Sequence, residues 1–176
     1  MRQEARFPFR VEPLGDQHAR AAFRCGTEAL DRYLHRQARQ DQERRVAVIH
    51  VAVPLDQATV VAAFYTLSAT AVRLQSVPAE VAKKLPRYPD VPATLLGRLA
   101  VGQDHQRHGL GEHLLIDALR RSMHASHTIG SVAVIVDAKD DRAKGFYLHY
   151  GFIPLPQQPA RLFLPMKTIE RLFGGR

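Results

Sequence analysis

An α/β fold, a mixed sheet flanked by helices, is what this 176-residue sequence predicts. Three observations carry that expectation. Short apolar runs rich in β-branched residues recur along the chain, as at Val46 to Val53 and Ser131 to Val136, and read as strands. Leu110, Leu114, Leu115, Ala118 and Leu119 recur instead at helical spacing, with Glu112, His113, Arg120 and Arg121 facing away. Glycine and proline punctuate the boundaries between the two kinds of segment.

Taken in order, Phe9 to Leu14 is a first strand. Thr27 is suited to cap a helix running to about Gln40, with Ala29, Leu30, Tyr33, Leu34 and Gln37 along one side. Arg45 to Pro54 carries Val46, Val48, Ile49, Val51 and Val53 and reads as a strand. A turn at Asp56 to Thr59 joins it to another, Val60 to Ala69, making a hairpin. Pro78, Pro86, Pro89 and Pro92 shape residues 76–92 into a surface excursion around a short helix at Ala79 to Lys84. A strand at Thr94 to Val101 follows, then the long helix from Gly109 through Met123, then the Ser131 to Val136 strand. Asp140 or Asp141 is placed to cap a short helix that Gly151 stops. Phe152 to Leu155 and Arg161 to Met166 close the chain. The order is β-α-β-β-β-α-β-α-β, without repeats or a dividing linker, so one domain over residues 1–176 is expected.

A chain of this length buries roughly 70% of the surface its unfolded form exposes, so it needs no disulfide scaffold. Its single cysteine, Cys25, excludes an intramolecular bridge and suits a reducing compartment as a small core residue rather than a catalytic thiol. Arg2, Glu4 and Arg6 interrupt the start and charges break every later apolar run. Neither a signal segment nor a membrane span is therefore expected, and the protein reads as soluble and cytoplasmic. Net charge is +8, from 25 Lys+Arg against 17 Asp+Glu, and it is spread as +3, +1 and +4 over residues 1–45, 46–104 and 105–176. Such an excess decorates a folded surface rather than a tail. Twenty of the 25 cations are arginine, whose planar fork matches phosphate oxygens and favours a nucleic-acid partner, although a GC-rich coding bias enriches arginine too. His105, His108, His113, His124 and His127 cluster in sequence without a carboxylate or cysteine at ligand spacing, so no metal is expected.

Gln106-Arg107-His108-Gly109-Leu110-Gly111 follows the Thr94 to Val101 strand and opens the long helix. Two glycines permit a tight turn and close approach of the backbone, so the first amides of the helix are placed to bind an anion. Downstream, Ala143 to Phe152 contains Phe146-Tyr147 and then Gly151-Phe152. Together these two motifs resemble the GCN5-related N-acetyltransferases, the GNAT superfamily, and the order of elements is similar to the GNAT fold over essentially the whole chain. The resemblance implies that Gln106, Arg107, His108, Gly109, Leu110 and Gly111 cradle the pyrophosphate of acetyl-CoA. It also implies that Leu99, Ala100 and Val101 hold the pantetheine arm, with Phe146 on the cofactor side. Tyr147 is then the general acid beside the cofactor sulfur. Read as residues alone, Phe146 and Phe152 serve equally as core.

A second resemblance lies upstream. Phe23-Arg24-Cys25-Gly26 is followed by Leu30-Asp31-Arg32-Tyr33-Leu34 and a basic helix end, with Phe64-Tyr65-Thr66-Leu67, Leu96 to Val101 and Leu162 to Met166 further on. From about Phe9 to Phe173 this resembles the GNAT toxins of the TacT and AtaT type. That resemblance implies acetylation of the α-amine of aminoacyl-tRNA, a block on translation, a neutralising ribbon-helix-helix antitoxin and a homodimer. Arg36, Arg39, Arg44, Arg45 and Arg98 are the candidates for tRNA phosphate contacts. Chemistry points the same way. Attack on a thioester needs a neutral amine, and a peptide α-amine of pKa ~8 is partly neutral where a lysine of ~10.4 is not. No carboxylate pair flanks the glycine loop, and Asp104 reads as a turn residue. Acetylation of a small-molecule or protein amine is the alternative, and a catalytically idle GNAT fold that binds nucleic acid is a second.

Overall fold

The computed structural model describes residues 7–174; Arg2, Glu4 and Arg6 lie outside the described residues. Seven strands form one mixed sheet in the order β1-β2-β3-β4-β5-β7-β6. They are β1 (Phe9–Pro13), β2 (Val48–Pro54), β3 (Ala63–Arg73), β4 (Asp90–Val101), β5 (Ala133–Asp137), β6 (Ile153–Leu155) and β7 (Gln158–Pro165). Among the described residues six helices accompany them: α1 (Glu28–Arg36), α2 (Ala38–Glu43), α3 (Ala79–Ala82), α4 (Leu110–Ser126), α5 (Asp141–His149) and α6 (Met166–Leu172). The chain groups into two compact units. One comprises residues up to Thr66 with Arg98–Asp117, the other Leu67–Gly97 with the remainder from Ala118.

In the first unit β1 pairs antiparallel with β2, from Phe9↔Pro54 to Pro13↔His50. Its core gathers Leu14, Phe23, Tyr33, Leu34, Ala38, Ile49, Val51, Val53, Phe64 and Ala100, with Cys25 and Leu30 partly buried against it. The expected helix from Thr27 to Gln40 is two helices. Gln37, at φ −114°, breaks the regular geometry between them, which leaves both Leu34 and Ala38 fully buried. Thr27 occupies the capping position in extended conformation, without the side-chain capping bond expected of it, and Ala29 is exposed. The β2 strand starts at Val48 rather than Arg45. Arg45 is left-handed, at φ 59°, and the amides of Val46 and Ala47 both turn back to the Asp41 carbonyl. The next strand likewise begins at Ala63, not Val60.

In the second unit β4 and β5 run parallel from Thr94↔Val134 to Leu96↔Val136, and β7 pairs antiparallel with both β5 and β6. Val72, Val77, Val91, Ala93, Ala133, Ile135, Leu155 and Phe163 form its core. The proline-rich excursion is closed by the Leu74 amide on the Pro89 carbonyl at 2.9 Å, and α3 stops at Ala82. The strand after it starts at Asp90, four residues before Thr94, because Pro92 still offers its carbonyl to the Val132 amide. Met166, read from sequence as the end of a strand, is the first residue of α6. The long helix matches expectation: Leu110, Leu114, Leu115, Ala118 and Leu119 are all buried.

Candidate active site

β4 continues through Val101, past its last paired residue with β5 at Leu96. Ala100 is buried and Leu99 and Val101 are half-buried, so these three positions supply backbone more readily than exposed side chains. The Gly102 amide then bonds to the Ala62 carbonyl at 2.8 Å and the Gln103 amide to the Arg24 carbonyl at 2.7 Å, anchoring the chain as it leaves the strand.

The loop after this anchor makes two left-handed turns, at Arg107 (φ 65°) and Gly109 (φ 77°). Residues of this kind set successive N–H groups around a concavity suited to an anion. The first helical bond of α4 runs from the His113 amide to the Gly109 carbonyl at 3.1 Å, so the amides of Leu110, Gly111 and Glu112 have no intrahelical acceptor. They point out of the positive end of the helix dipole. Gln106, Arg107, His108 and Gly109 are exposed, whereas the Leu110 side chain is buried core. Gln106 does not reach outward. Its Nε2 donates to the carbonyls of Val101 and Cys25, both at 3.0 Å, which clips the loop to the strand end and to the turn before α1.

That turn explains the Cys-Gly motif. Gly26 is left-handed at φ 94°, and a Cβ there would meet the Gln103 side-chain Nε2 at 3.2 Å. Asp31, part of the Leu30 to Leu34 motif, accepts the Cys25 backbone amide at 2.8 Å. Two of the clustered histidines are also accounted for: His113 stacks on Phe7, centroids 4.0 Å apart, and His105 meets Phe9 edge-on at 5.7 Å. Among the described residues no group of three or more His, Cys, Asp or Glu is arranged to hold a metal ion. Asp104 lies exposed in a single 3-10 turn.

In the second unit, α5 starts on Asp140, whose Oδ1 accepts the Ala143 amide at 2.8 Å. It ends at Gly151, φ 89°, where the amides of Tyr150 and Phe152 both return to the Tyr147 carbonyl. Tyr147 is 8% exposed, and among the described residues its hydroxyl has no hydrogen-bond partner. Burial alone pushes its pKa up to about 12, above the ordinary tyrosine value near 10. Phe146 and Phe152 hold the ring edge-on at 5.2 and 5.4 Å. Phe146 is half-buried and also touches Tyr150, at 5.0 Å. A bidentate pair, Arg161 with Asp137 at 2.8 and 3.0 Å, joins the end of β5 to β7 before α5 begins.

The five candidate arginines differ. Arg36, Arg44 and Arg45 are exposed. Arg39 is engaged by Glu43 at 2.8 Å and by Asp16 at 3.2 Å, so two carboxylates compete with any phosphate for it. Arg98 is half-buried, its guanidinium carbon 3.5 Å from the centroid of the Tyr33 ring. The Tyr33 hydroxyl donates to Asp41 Oδ2 at 2.9 Å, and burial together with that carboxylate holds the phenol well above the usual tyrosine range. Sequence reading missed Tyr33 and Asp41 as parts of this group. Tyr33 falls on the apolar side of α1 and reads as core; its polar tip and its place in the Leu30 to Leu34 motif were the signals available.

Comparison with known proteins places the chain. Residues 92–168 match the acetyltransferase (GNAT) domain family. "Probable toxin TacT" of Sinorhizobium fredii is 30% identical over 172 residues, covering 93% of this chain and 94% of that protein. The tRNA-acetylating toxin of Mycobacterium tuberculosis is 35% identical over 153 residues, covering 87% and 89%. Among solved structures, a tyrosine-to-phenylalanine variant of KacT superimposes with a TM-score of 0.88 at 31% identity, over 95% of this chain and 100% of that one. AtaT complexed with acetyl-methionyl-tRNAfMet gives 0.86 at 30% identity, over 94% and 99%. AtaT has also been solved with acetyl-CoA and with the C-terminus of its antitoxin AtaR, in a Tyr-to-Phe variant. The seven-stranded mixed sheet, the glycine loop at the start of α4 and this likeness along nearly the full chain lead to one assignment: the protein belongs to the GNAT acetyltransferases, among the toxins of the TacT and AtaT type.

Proposed function

We propose that this protein is an acetyl-CoA-dependent N-acetyltransferase, one GNAT domain over residues 1–176, that acetylates the α-amine of aminoacyl-tRNA in the cytoplasm. The observation that carries this reading is the 35% identity to a tRNA-acetylating toxin over 87% of the chain. The amide so formed has its nitrogen lone pair delocalised, so it no longer attacks an ester and peptide-bond formation stops.

In this reading the amides of Leu110, Gly111 and Glu112, with the turn at Arg107 to Gly109, bind the pyrophosphate of acetyl-CoA, and Gln106 and Leu110 hold that turn in place. The backbone edge of Leu99, Ala100 and Val101, which extends beyond the β5 register, takes the pantetheine arm by strand-like bonds. The neutral α-amine attacks the thioester carbon, the adduct's nitrogen gives up a proton to solvent, and the C–S bond breaks with loss of the coenzyme A thiolate. Tyr147 gives that sulfur a proton or a hydrogen bond. The buried, protonated state of its hydroxyl supports the role, and Phe146 fixes the ring. Arg36, Arg44, Arg45 and Arg98 contact phosphates of the tRNA, with Arg39 contributing when it leaves its carboxylates. Likeness to the AtaT–AtaR complex supports a dedicated antitoxin; we assign that antitoxin to the ribbon-helix-helix class and take the toxin to be a homodimer. Among the described residues no helix is long and apolar enough to cross a membrane.

The test is a mass measurement of total aminoacyl-tRNA after incubation with the protein and acetyl-CoA. Acetylated aminoacyl adenosine should appear, and ribonuclease treatment of the acceptor pool should abolish acetyl transfer. Persistence of transfer after ribonuclease would favour a small-molecule or protein amine.

A further inference from the structure

We infer that Tyr33 and Asp41 are positioning residues that turn Arg98 into a preorganised phosphate fork for the RNA acceptor. The inference deepens the aminoacyl-tRNA reading and rests on it. Three observations converge on it, all within the unit that carries the glycine loop. The Arg98 guanidinium carbon lies over the Tyr33 ring, 3.5 Å from its centroid. Among the described residues no carboxylate or carbonyl accepts a hydrogen bond from it, although it is half-buried. The ring beneath is itself fixed: Tyr33 is 6% exposed, stacks on Phe64 at 6.2 Å, and is tied through its hydroxyl to Asp41 at 2.9 Å. Asp41 in turn accepts Gln37 Nε2 at 2.8 Å, and its carbonyl takes the Val46 and Ala47 amides.

A guanidinium whose face is covered by an aromatic ring keeps its N–H edge free, and that edge matches two oxygens of one phosphate. Stacking removes most of the rotamer freedom that a long side chain otherwise surrenders on binding, so the fork is set before the ligand arrives. An arginine held within a protein for structure has its donors satisfied by carbonyls or carboxylates; Arg39, with Glu43 and Asp16, shows that pattern a few residues from Tyr33. Arg98 does not. The carboxylate of Asp41 reaches the phenol and not the guanidinium, so it stabilises the platform without neutralising the cation.

The experiment separates the charge from its placement. Steady-state kinetics with aminoacyl-tRNA at several salt concentrations, and acetyl-CoA affinity by calorimetry, are measured for Arg98→Gln, Arg98→Lys, Tyr33→Leu, Tyr33→Phe and Asp41→Asn, each checked for folding by thermal melting. Arg98→Gln should raise KM for aminoacyl-tRNA about tenfold and make the slope of log affinity against log salt shallower by roughly 0.7–0.9, the loss of one phosphate contact. Arg98→Lys and Tyr33→Leu keep the charge but lose the placed fork, so KM should rise several-fold with the slope unchanged and kcat within twofold. Tyr33→Phe keeps the ring face but loses the bond to Asp41, so KM should rise about two- to threefold, less than in Tyr33→Leu, and Asp41→Asn should raise it by a similar amount. Unchanged KM in folded Arg98→Lys and Tyr33→Leu would overturn the inference, as would equal losses in Tyr33→Leu and Tyr33→Phe. A fall in acetyl-CoA affinity in Arg98→Gln would assign the phosphate to coenzyme A and overturn it too. Wild-type protein that neither binds tRNA nor shows a salt slope would instead overturn the aminoacyl-tRNA reading itself.

Discussion

At the scale of one residue, the proposed chemistry rests on Tyr147. Its neighbour Phe146 has no proton to give, and Tyr150 sits at the end of α5, beyond its last turn. Replacing the hydroxyl in Tyr147→Phe should leave the fold and acetyl-CoA binding intact while lowering turnover by roughly 10²- to 10⁴-fold, the scale of a general acid. Tyr150→Phe is the matched control and should be mild. Near-normal turnover in folded Tyr147→Phe, measured by thiol release, would move the acid elsewhere. The raised pKa adds a pH signature with a definite sign. Because the folded value near 12 exceeds the ordinary tyrosine value near 10, the phenol stays protonated well above neutral pH. A basic limb in kcat near neutral pH is therefore expected to come from another group and to survive in Tyr147→Phe. By the same linkage the buried phenol favours the folded state fully below about pH 10, and this contribution is lost as pH rises toward 12.

At the scale of the element, the start of α4 separates two glycines that look alike in sequence. Gly109 is left-handed, so any side chain there is strained even though nothing lies within 4 Å of the position its Cβ would take. Gly111 is inside the first turn, and its Cβ would make only ordinary contact with Val101 Cγ2 at 3.7 Å. Gly109→Ala should cost about 1–2 kcal/mol of stability. Gly111→Ala should cost none, since alanine is the better helix former by about 1 kcal/mol. Yet if the adjacent amides hold the pyrophosphate, the added methyl in Gly111→Ala should weaken acetyl-CoA binding at least tenfold, while His108→Ala does little. Calorimetric titration checks this; equal losses for Gly111→Ala and His108→Ala would count against the backbone cradle.

For the whole molecule the relevant quantity is charge. A net +8 carried largely by arginine predicts that affinity for the acceptor falls steeply with salt, as each neutralised phosphate releases counterion. Acetyl-CoA affinity, which in the proposed cradle rests mainly on backbone amides, should fall less. Filter binding of tRNA and calorimetry of acetyl-CoA over the same salt range compare the two, and parallel slopes would remove the physical support for an RNA substrate. In cells, expression alone should arrest growth, and co-expression of an adjacent ribbon-helix-helix gene should relieve the arrest and yield a copurifying complex.

Local patterns decided much of this protein in advance. Leu110, Leu114, Leu115, Ala118 and Leu119 specify the buried face of α4 because helical periodicity is a property of neighbouring residues. Gly109 and Gly151 mark a turn and a helix stop for the same reason, since only glycine takes a left-handed conformation freely. Gln106 to Gly111 and Phe146-Tyr147 were legible as motifs. What remained hidden depends on groups distant in the chain. The division at Gln37 keeps Leu34 and Ala38 on one core, and the delayed start of β2 follows from the Asp41 carbonyl capturing two amides. Gln106 bonds Cys25 across 81 positions, Arg98 rests on Tyr33, and burial carries Tyr147 to about 12. Hydrogen-bond partners, ring contacts and desolvation are set by which surfaces meet once the chain has folded, and no local periodicity encodes them.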